Sequence, residues 1–253
     1  MRFYIKSCCH DWQKNGRLCS TQNYDYEVKE SIFMKRGFTL AEVLLTLAII
    51  GIVAALTIPA VITKATRDQY VVALRKAYNT LKAVEREAIR EQGEMKYWDW
   101  KNDNTDFDRY YKPYFDILKE CINYDKGCFA LEYYDLNGSP SNEDLNSNIR
   151  RRFITPDGIA YSYRTHRNAK RQGEFIVDIN GKNGINTFGR DTFVFDLFRL
   201  EGIKPSGAYD IDNTILESYE VDANCAMDGI STPTVPAGHY CAAKVLAEGA
   251  MNY

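Results

Sequence analysis

Four sets of side chains in this sequence could do chemistry, and each would do a different kind. Glu42 stands at the start of a long apolar run, where a deeply placed carboxylate costs on the order of 2.5–3.5 kcal/mol. Seven cysteines are present: Cys8, Cys9, Cys19, Cys121, Cys128, Cys225 and Cys241. They could pair as disulfides or stay as small buried thiols. Zinc is disfavoured, because no C-x-x-C occurs and His166 and His239 are isolated. A third set lies in the segment from Asp178 to Asp191. Asp178, Asn180, Asn186 and Asp191 are spread along a bent stretch with Gly181, Gly184 and Gly189. Hard oxygens on a flexible turn suit Ca²⁺, although the spacing is not that of an EF-hand. The same residue types also cap their own turns, and that reading carries the greater weight. The fourth set is basic: Arg150-Arg151-Arg152 and the arginines between Arg164 and Arg171. Such a cluster could follow phosphates, or it could be a solvated or subunit-facing patch, which the overall charge favours.

Catalytic signatures are missing. There is no G-x-S-x-G, no H-E-x-x-H and no P-loop, and only three histidines occur in 253 residues. The expectation is therefore a protein that is not an enzyme and requires no cofactor, with a structural Ca²⁺ as an open option. The formal net charge of −2 gives no electrostatic footprint for nucleic acid.

The elements that must position these groups begin with the apolar run. From Val43 to Thr63 no side chain is charged. As helix this spans roughly 31 Å, against a bilayer core of about 30 Å. A secretory signal has a shorter apolar region and a small-residue cleavage site, so this run reads as a retained anchor. Positive charges do not set its orientation. Lys29, Lys35 and Arg36 precede it, and Lys64, Arg67, Arg75 and Lys76 follow.

After the anchor the pattern becomes amphipathic. Tyr70, Leu74, Tyr78, Leu81, Val84 and Ile89 recur at three- to five-residue steps, and Gly93 is a stop. The spacing predicts one long helix, apolar first and half-buried later. Residues 94–150 read as irregular, with a short helix over Tyr110–Cys121. Strands are expected at Arg152–Thr155 and Ile159–Arg164, around a Pro156-Asp157-Gly158 turn, and at Glu174–Ile179 and Thr192–Phe198. Gly202–Gly207 reads as a turn, and Ala242–Ala247 as a short helix. The expected class is α+β, a long helix packed on an antiparallel β-meander.

The junction Lys35-Arg36-Gly37-Phe38-Thr39-Leu40-Ala41-Glu42, followed by the apolar run and Pro59, resembles the prepilin signal of type IV pilins and type II secretion pseudopilins. The resemblance implies a pilin-like fold and a cut by prepilin peptidase between Gly37 and Phe38. Phe38 then becomes a methylated amine, and Glu42 becomes the fifth residue of the mature chain. It also implies that Glu42 pairs with a Phe38 ammonium to set register during assembly, and that Pro59 bends or locally melts the helix.

Four domains follow from this resemblance. Residues 1–37 are the leader, 38–63 the transmembrane or filament-core helix, 64–93 its amphipathic half, and 94–253 a periplasmic head. Family leaders are short, so Met34 is an alternative start and residues 1–33 an upstream extension.

Removing residues 1–37 leaves four cysteines and a charge of about −5. Four cysteines allow three pairings, and proximity in sequence favours Cys121–Cys128 and Cys225–Cys241. Disulfides fit an oxidising periplasm. The second pair resembles the disulfide-bounded C-terminal region of many type IV pilins. The Asp178–Asp191 segment resembles loops of pseudopilin-like proteins, some of which bind calcium.

The implied function is a structural subunit of a type IV pilus-like or secretion pseudopilus filament. Its implied partners are prepilin peptidase, other subunits, an inner-membrane assembly platform and membrane lipid. It would sit as a single-pass protein of the inner membrane and then at the cell surface. A minor pilin with a ligand- or DNA-binding head is the alternative, and a membrane-anchored periplasmic enzyme a third.

Overall fold

The fold comes from a computed structural model of the chain. The structure describes residues 37–101, 103–123, 125, 127–166, 170–208, 217–229 and 235–253, apart from the side chain of Ala60. The expected leader up to Arg36 lies outside the described residues, and with it Met34, Lys29, Lys35, Arg36, Cys8, Cys9 and Cys19. So do Arg167, Asn168 and Ala169 of the basic cluster. Two compact units divide the chain, Met1–Ile50 and Gly51–Tyr253.

Helix α1 covers Leu40–Gln92. In the first unit its large apolar side chains are exposed: Leu44 is 58% and Ile50 63% accessible. By length and composition it is the one helix among the described residues that could cross a membrane. Thr46 and Thr57 donate their hydroxyls back to the carbonyls of Val43 and Val53, so neither polar group is stranded on that apolar surface. The helix runs through Pro59 without a break. The expected local melting is not seen; Thr63 Oγ1 donates to the Pro59 carbonyl one turn on. Gly93 ends α1 with φ +79°, its N–H donating to the Ile89 carbonyl.

In the second unit, α1 buries Val71, Leu74, Ala77, Leu81, Val84 and Ala88. These recur every three or four residues and form one face. Tyr70, Tyr78 and Ile89 of the expected stripe flank it and are partly buried. Two alanines, Ala77 and Ala88, are fully buried on this face.

The connection to the sheet carries α2 (Thr105–Tyr110) between two 3-10 turns, at Met95–Tyr97 and Lys112–Tyr114. The helix expected over Tyr110–Cys121 is not formed. Pro113 has no N–H to continue it, and the chain extends into strand β1, Lys119–Glu120. Short strand β2 (Tyr133–Tyr134) follows. The main strands are β3 (Arg151–Ile154), β4 (Ala160–Thr165) and β5 (Arg171–Asp178). Then come β6 (Asn186–Thr187), β7 (Thr192–Phe198) and β8 (Gly202–Pro205). Helices α3 (Ser218–Asn224) and α4 (Cys241–Glu248) close the chain. The six-stranded sheet has the order β1-β3-β4-β5-β7-β8 and is antiparallel throughout. A separate parallel pair joins β2 to β6.

Alternation along the strands divides the interior in two. Tyr161, Tyr163, Phe175, Val177, Phe193, Phe195 and Leu197 join the core that α1 covers. Their neighbours Ile176 and Val194 face a second cluster with Phe129, Tyr133 and Phe188. Both faces are therefore buried, and Thr192–Phe198 is buried at every position.

Strand β8 replaces the turn expected at Gly202–Gly207. It ends the sheet, and α1 covers its outer side. The Ile203 N–H donates to Glu85 Oε2 at 3.3 Å, and Lys82 Nζ donates to the Ile203 carbonyl at 3.4 Å. Lys82 and Glu85 are themselves an ion pair. Gly202 has φ +75°, and a Cβ there would overlap the Glu85 carboxylate.

Candidate processing and assembly site

The site begins where the apolar helix begins. Phe38 is 87% exposed. Thr39 and Glu42 form a reciprocal cap at the first turn of α1. The Thr39 N–H donates to Glu42 Oε2 at 2.8 Å, and the Thr39 hydroxyl donates to the same oxygen at 2.9 Å. In return the Glu42 N–H donates to Thr39 Oγ1 at 3.2 Å. This is the S/T-x-x-E pattern that satisfies free N–H groups at a helix start. The carboxylate is thus held in the first turn of the helix, on a segment whose other side chains are uncharged.

The comparison that bears on these residues is with protein-family models. Residues 32–58 match the prokaryotic N-terminal methylation motif. This is the prepilin-type signal of type IV pilins and pseudopilins. The methylation motif takes in Gly37, Phe38 and Glu42 and ends just before Pro59. It supports a pilin- or pseudopilin-like precursor and points to a structural subunit. It also implies processing by prepilin peptidase and assembly with other subunits, and it fits a membrane-anchored N-terminus. No curated protein and no solved structure matches the chain.

Away from the methylation motif, the structure pairs four cysteines. Cys121 bonds to Cys128 and Cys225 to Cys241. The second disulfide packs close to Gly189, where an added Cβ would meet Cys241 Sγ at 2.7 Å. Gly189 has φ +84°, so glycine is needed there on two grounds. The hydroxyl of Tyr253 donates to the Gly189 carbonyl. The disulfide-bounded region is therefore joined to the Asp178–Asp191 segment.

In that segment Asp178 and Asp191 are fully buried. Tyr133 donates its hydroxyl to Asp178 Oδ2 at 2.7 Å, and the Asn180 N–H donates to Oδ1 at 3.2 Å. Burial, reinforced by the negative charge of Asp191, pushes the Asp178 carboxyl up to about 7, against the hydrogen bonds that favour its ionised form. Burial also raises Asp191, although the Thr187 N–H and Arg190 both donate to it. Neither amide atom of buried Asn186 is hydrogen-bonded, and Asn180 Oδ1 is also unpartnered. Among the described residues no three His, Cys, Asp or Glu side chains gather as a metal site. The set here has two acids and two free amide oxygens, and that donor chemistry suits Ca²⁺.

Four of the arginines turn out to be held in ion pairs, Arg150 buried and Arg151 still partly exposed. Arg150 has a side chain only 1% exposed and pairs with Glu143 and with Glu174 at 3.0 Å. Arg164 pairs with Glu174 at 2.9 Å, and Arg171 with Glu174 and Asp196. Arg151 grips Asp108 with two nitrogens, at 3.0 and 2.7 Å. Burial would raise Glu174, but its His166 contact and the guanidiniums of Arg150, Arg171 and Arg164 hold it well below the usual range. Among the described residues these four arginines, each tied to a carboxylate, form no open phosphate track. Their acid partners were not singled out by sequence. The signal was present in the strands, where Glu174 and Asp196 interrupt otherwise apolar runs on one sheet face.

Proposed function

We propose that this chain is a structural subunit of a type IV pilus-like or secretion pseudopilus filament, cut by prepilin peptidase between Gly37 and Phe38. The observation that carries the reading is the methylation motif at residues 32–58, which runs into the exposed start of a helix able to cross a membrane and takes in Glu42 of its first turn. Cleavage frees an ammonium on Phe38, one turn from the Glu42 carboxylate. In an apolar filament core that carboxylate needs a cation, and the ammonium of its own or a neighbouring subunit supplies one. Residues 38–63 would be the anchor and filament core, and residues 94–253 the periplasmic head.

The test is co-expression with a prepilin peptidase, followed by mass spectrometry and electron microscopy. The product should begin at a methylated Phe38. The Glu42→Leu variant should be cut and keep a folded head, yet form no filaments. A chain left uncut at Gly37 would sink the processing reading. Normal filaments from Glu42→Leu would remove the register role alone.

A structural Ca²⁺ held by Asp178, Asn180, Asn186 and Asp191 is proposed as well. The free amide atoms of Asn186 favour it. The ion would neutralise two buried carboxylates and stiffen the turn that meets the C-terminal disulfide.

A further inference from the structure

A cavity of about 290 Å³ lies at the β1–β3 margin of the sheet, far in function from the methylation motif. Its lining includes apolar Ile122, the cations Lys112, Arg150, Arg151 and Arg152, and the carboxylates Asp108 and Glu120. Three of these cations are already neutralised, Arg150 by Glu143 and Glu174. Lys112 pairs with Glu120 at 2.6 Å, and Arg151 with Asp108 at 2.7 Å.

Arg152 is different. The residue is only 3% exposed. Its terminal nitrogens donate to the carbonyls of Asn123 and Asp125, the latter at 2.8 Å. Asn146 Oδ1 is at the hydrogen-bond limit of 3.5 Å. Its Nε is buried and has no hydrogen-bond partner. Among the described residues it forms no ion pair with a carboxylate. Burial accordingly pulls the guanidinium below its ordinary range, with Asp125 and Asp144 acting the other way. Carbonyl dipoles solvate a cation but leave its net charge in place. A buried charge in that state is costly until an anion meets it. Asn123, which supplies one of the carbonyls, sits at φ +56°, a left-handed conformation that non-glycine residues seldom adopt. The loop is thus bent to hold Arg152 in place.

We propose that this cavity binds a small oxyanion, a carboxylate or a phosphate, which neutralises Arg152, with Ile122 offering exposed apolar surface to its body. A guanidinium matches the planar or forked oxygens of either group. The cavity admits an aromatic acid as well as inorganic phosphate.

The test uses the full chain in detergent, at constant ionic strength, titrated with benzoate, with inorganic phosphate and with neutral benzamide. Saturable binding of an anion is expected, with benzamide silent. Benzoate alone would assign a carboxylate, phosphate alone a phosphate, and both together a general oxyanion site. Arg152→Met should abolish binding, but it also removes a strut of the disulfide loop. Ile122 is 65% exposed, so its substitution spares the fold. Ile122→Asp should weaken anion binding roughly tenfold or more, and Ile122→Asn should not. No saturable anion binding, equal binding of benzamide, or unchanged binding by Ile122→Asp would each overturn the proposal.

Discussion

Replacing Asp178 by Asn should change how the stability of the head depends on pH. Asp178 is fully buried, and its folded-state carboxyl is pushed up to about 7 from an ordinary 3.8. The folded chain therefore holds this proton more tightly than the unfolded chain. Stability is complete below the unfolded value, falls as pH rises from about 4 to about 7, and is constant above. A difference of about three pH units corresponds to about 4 kcal/mol at 1.36 kcal/mol each. His239 pulls the other way in the same window. Burial lowers it to about 4 from 6.5, so its contribution rises as pH climbs between those values. The wild-type profile alone will hide both effects. The informative quantity is the difference between Asp178→Asn and wild type, measured by urea unfolding in detergent, without Ca²⁺, from pH 4 to pH 8. That difference should move in favour of the variant by a few kcal/mol across the window. A flat difference would refute the burial argument for Asp178.

Three further outcomes follow from the same packing. Ca²⁺ should raise the melting temperature at pH 8, and Asp191→Ala should abolish the rise; no effect on the wild-type chain would end the Ca²⁺ proposal. Gly202→Ala should cost about 1–3 kcal/mol in a thermal melt, because of its positive φ and the overlap with Glu85. The loss should be smaller when Glu85 is also truncated to Ala. Removing the Cys225–Cys241 bond with paired serines should cost about 3 kcal/mol, read by urea unfolding with and without reductant. Little or no loss would mean that the loop it closes is held by other contacts.

The parts of the fold that the sequence made legible are those written in strong periodic signals. The uncharged run, Gly93, the Pro156-Asp157-Gly158 turn and the apolar strand Thr192–Phe198 each determine their structure locally. The hairpin illustrates this: the Gly158 N–H donates to the Thr155 carbonyl at 2.9 Å, and Gly158 takes φ +84°. Other parts were hidden because their cause is tertiary. Ala77 and Ala88 carry little apolar weight, yet both are fully buried in the core that α1 shares with the sheet. Gly202 and Pro205 read as punctuation, but they bound a strand whose outer hydrogen bonds come from a helix 118 residues earlier. The arginines read as a surface cluster because Glu143, Glu174 and Asp196 are distant in sequence and meet them only through strand register. At the processing site the residue types were legible. The Thr39–Glu42 cap, which fixes the carboxylate before any cleavage, needed the coordinates.

The contact of Lys82 and Glu85 with Ile203 has a consequence for copies of this chain held at high local concentration. A sheet that ends in free N–H and C=O groups recruits another strand, and crowded copies could zip together before ordered assembly. Here the helix stands in for the missing strand and saturates that position with an ammonium and a carboxylate. Copies meeting at this margin find no backbone partner, which directs association away from sheet growth.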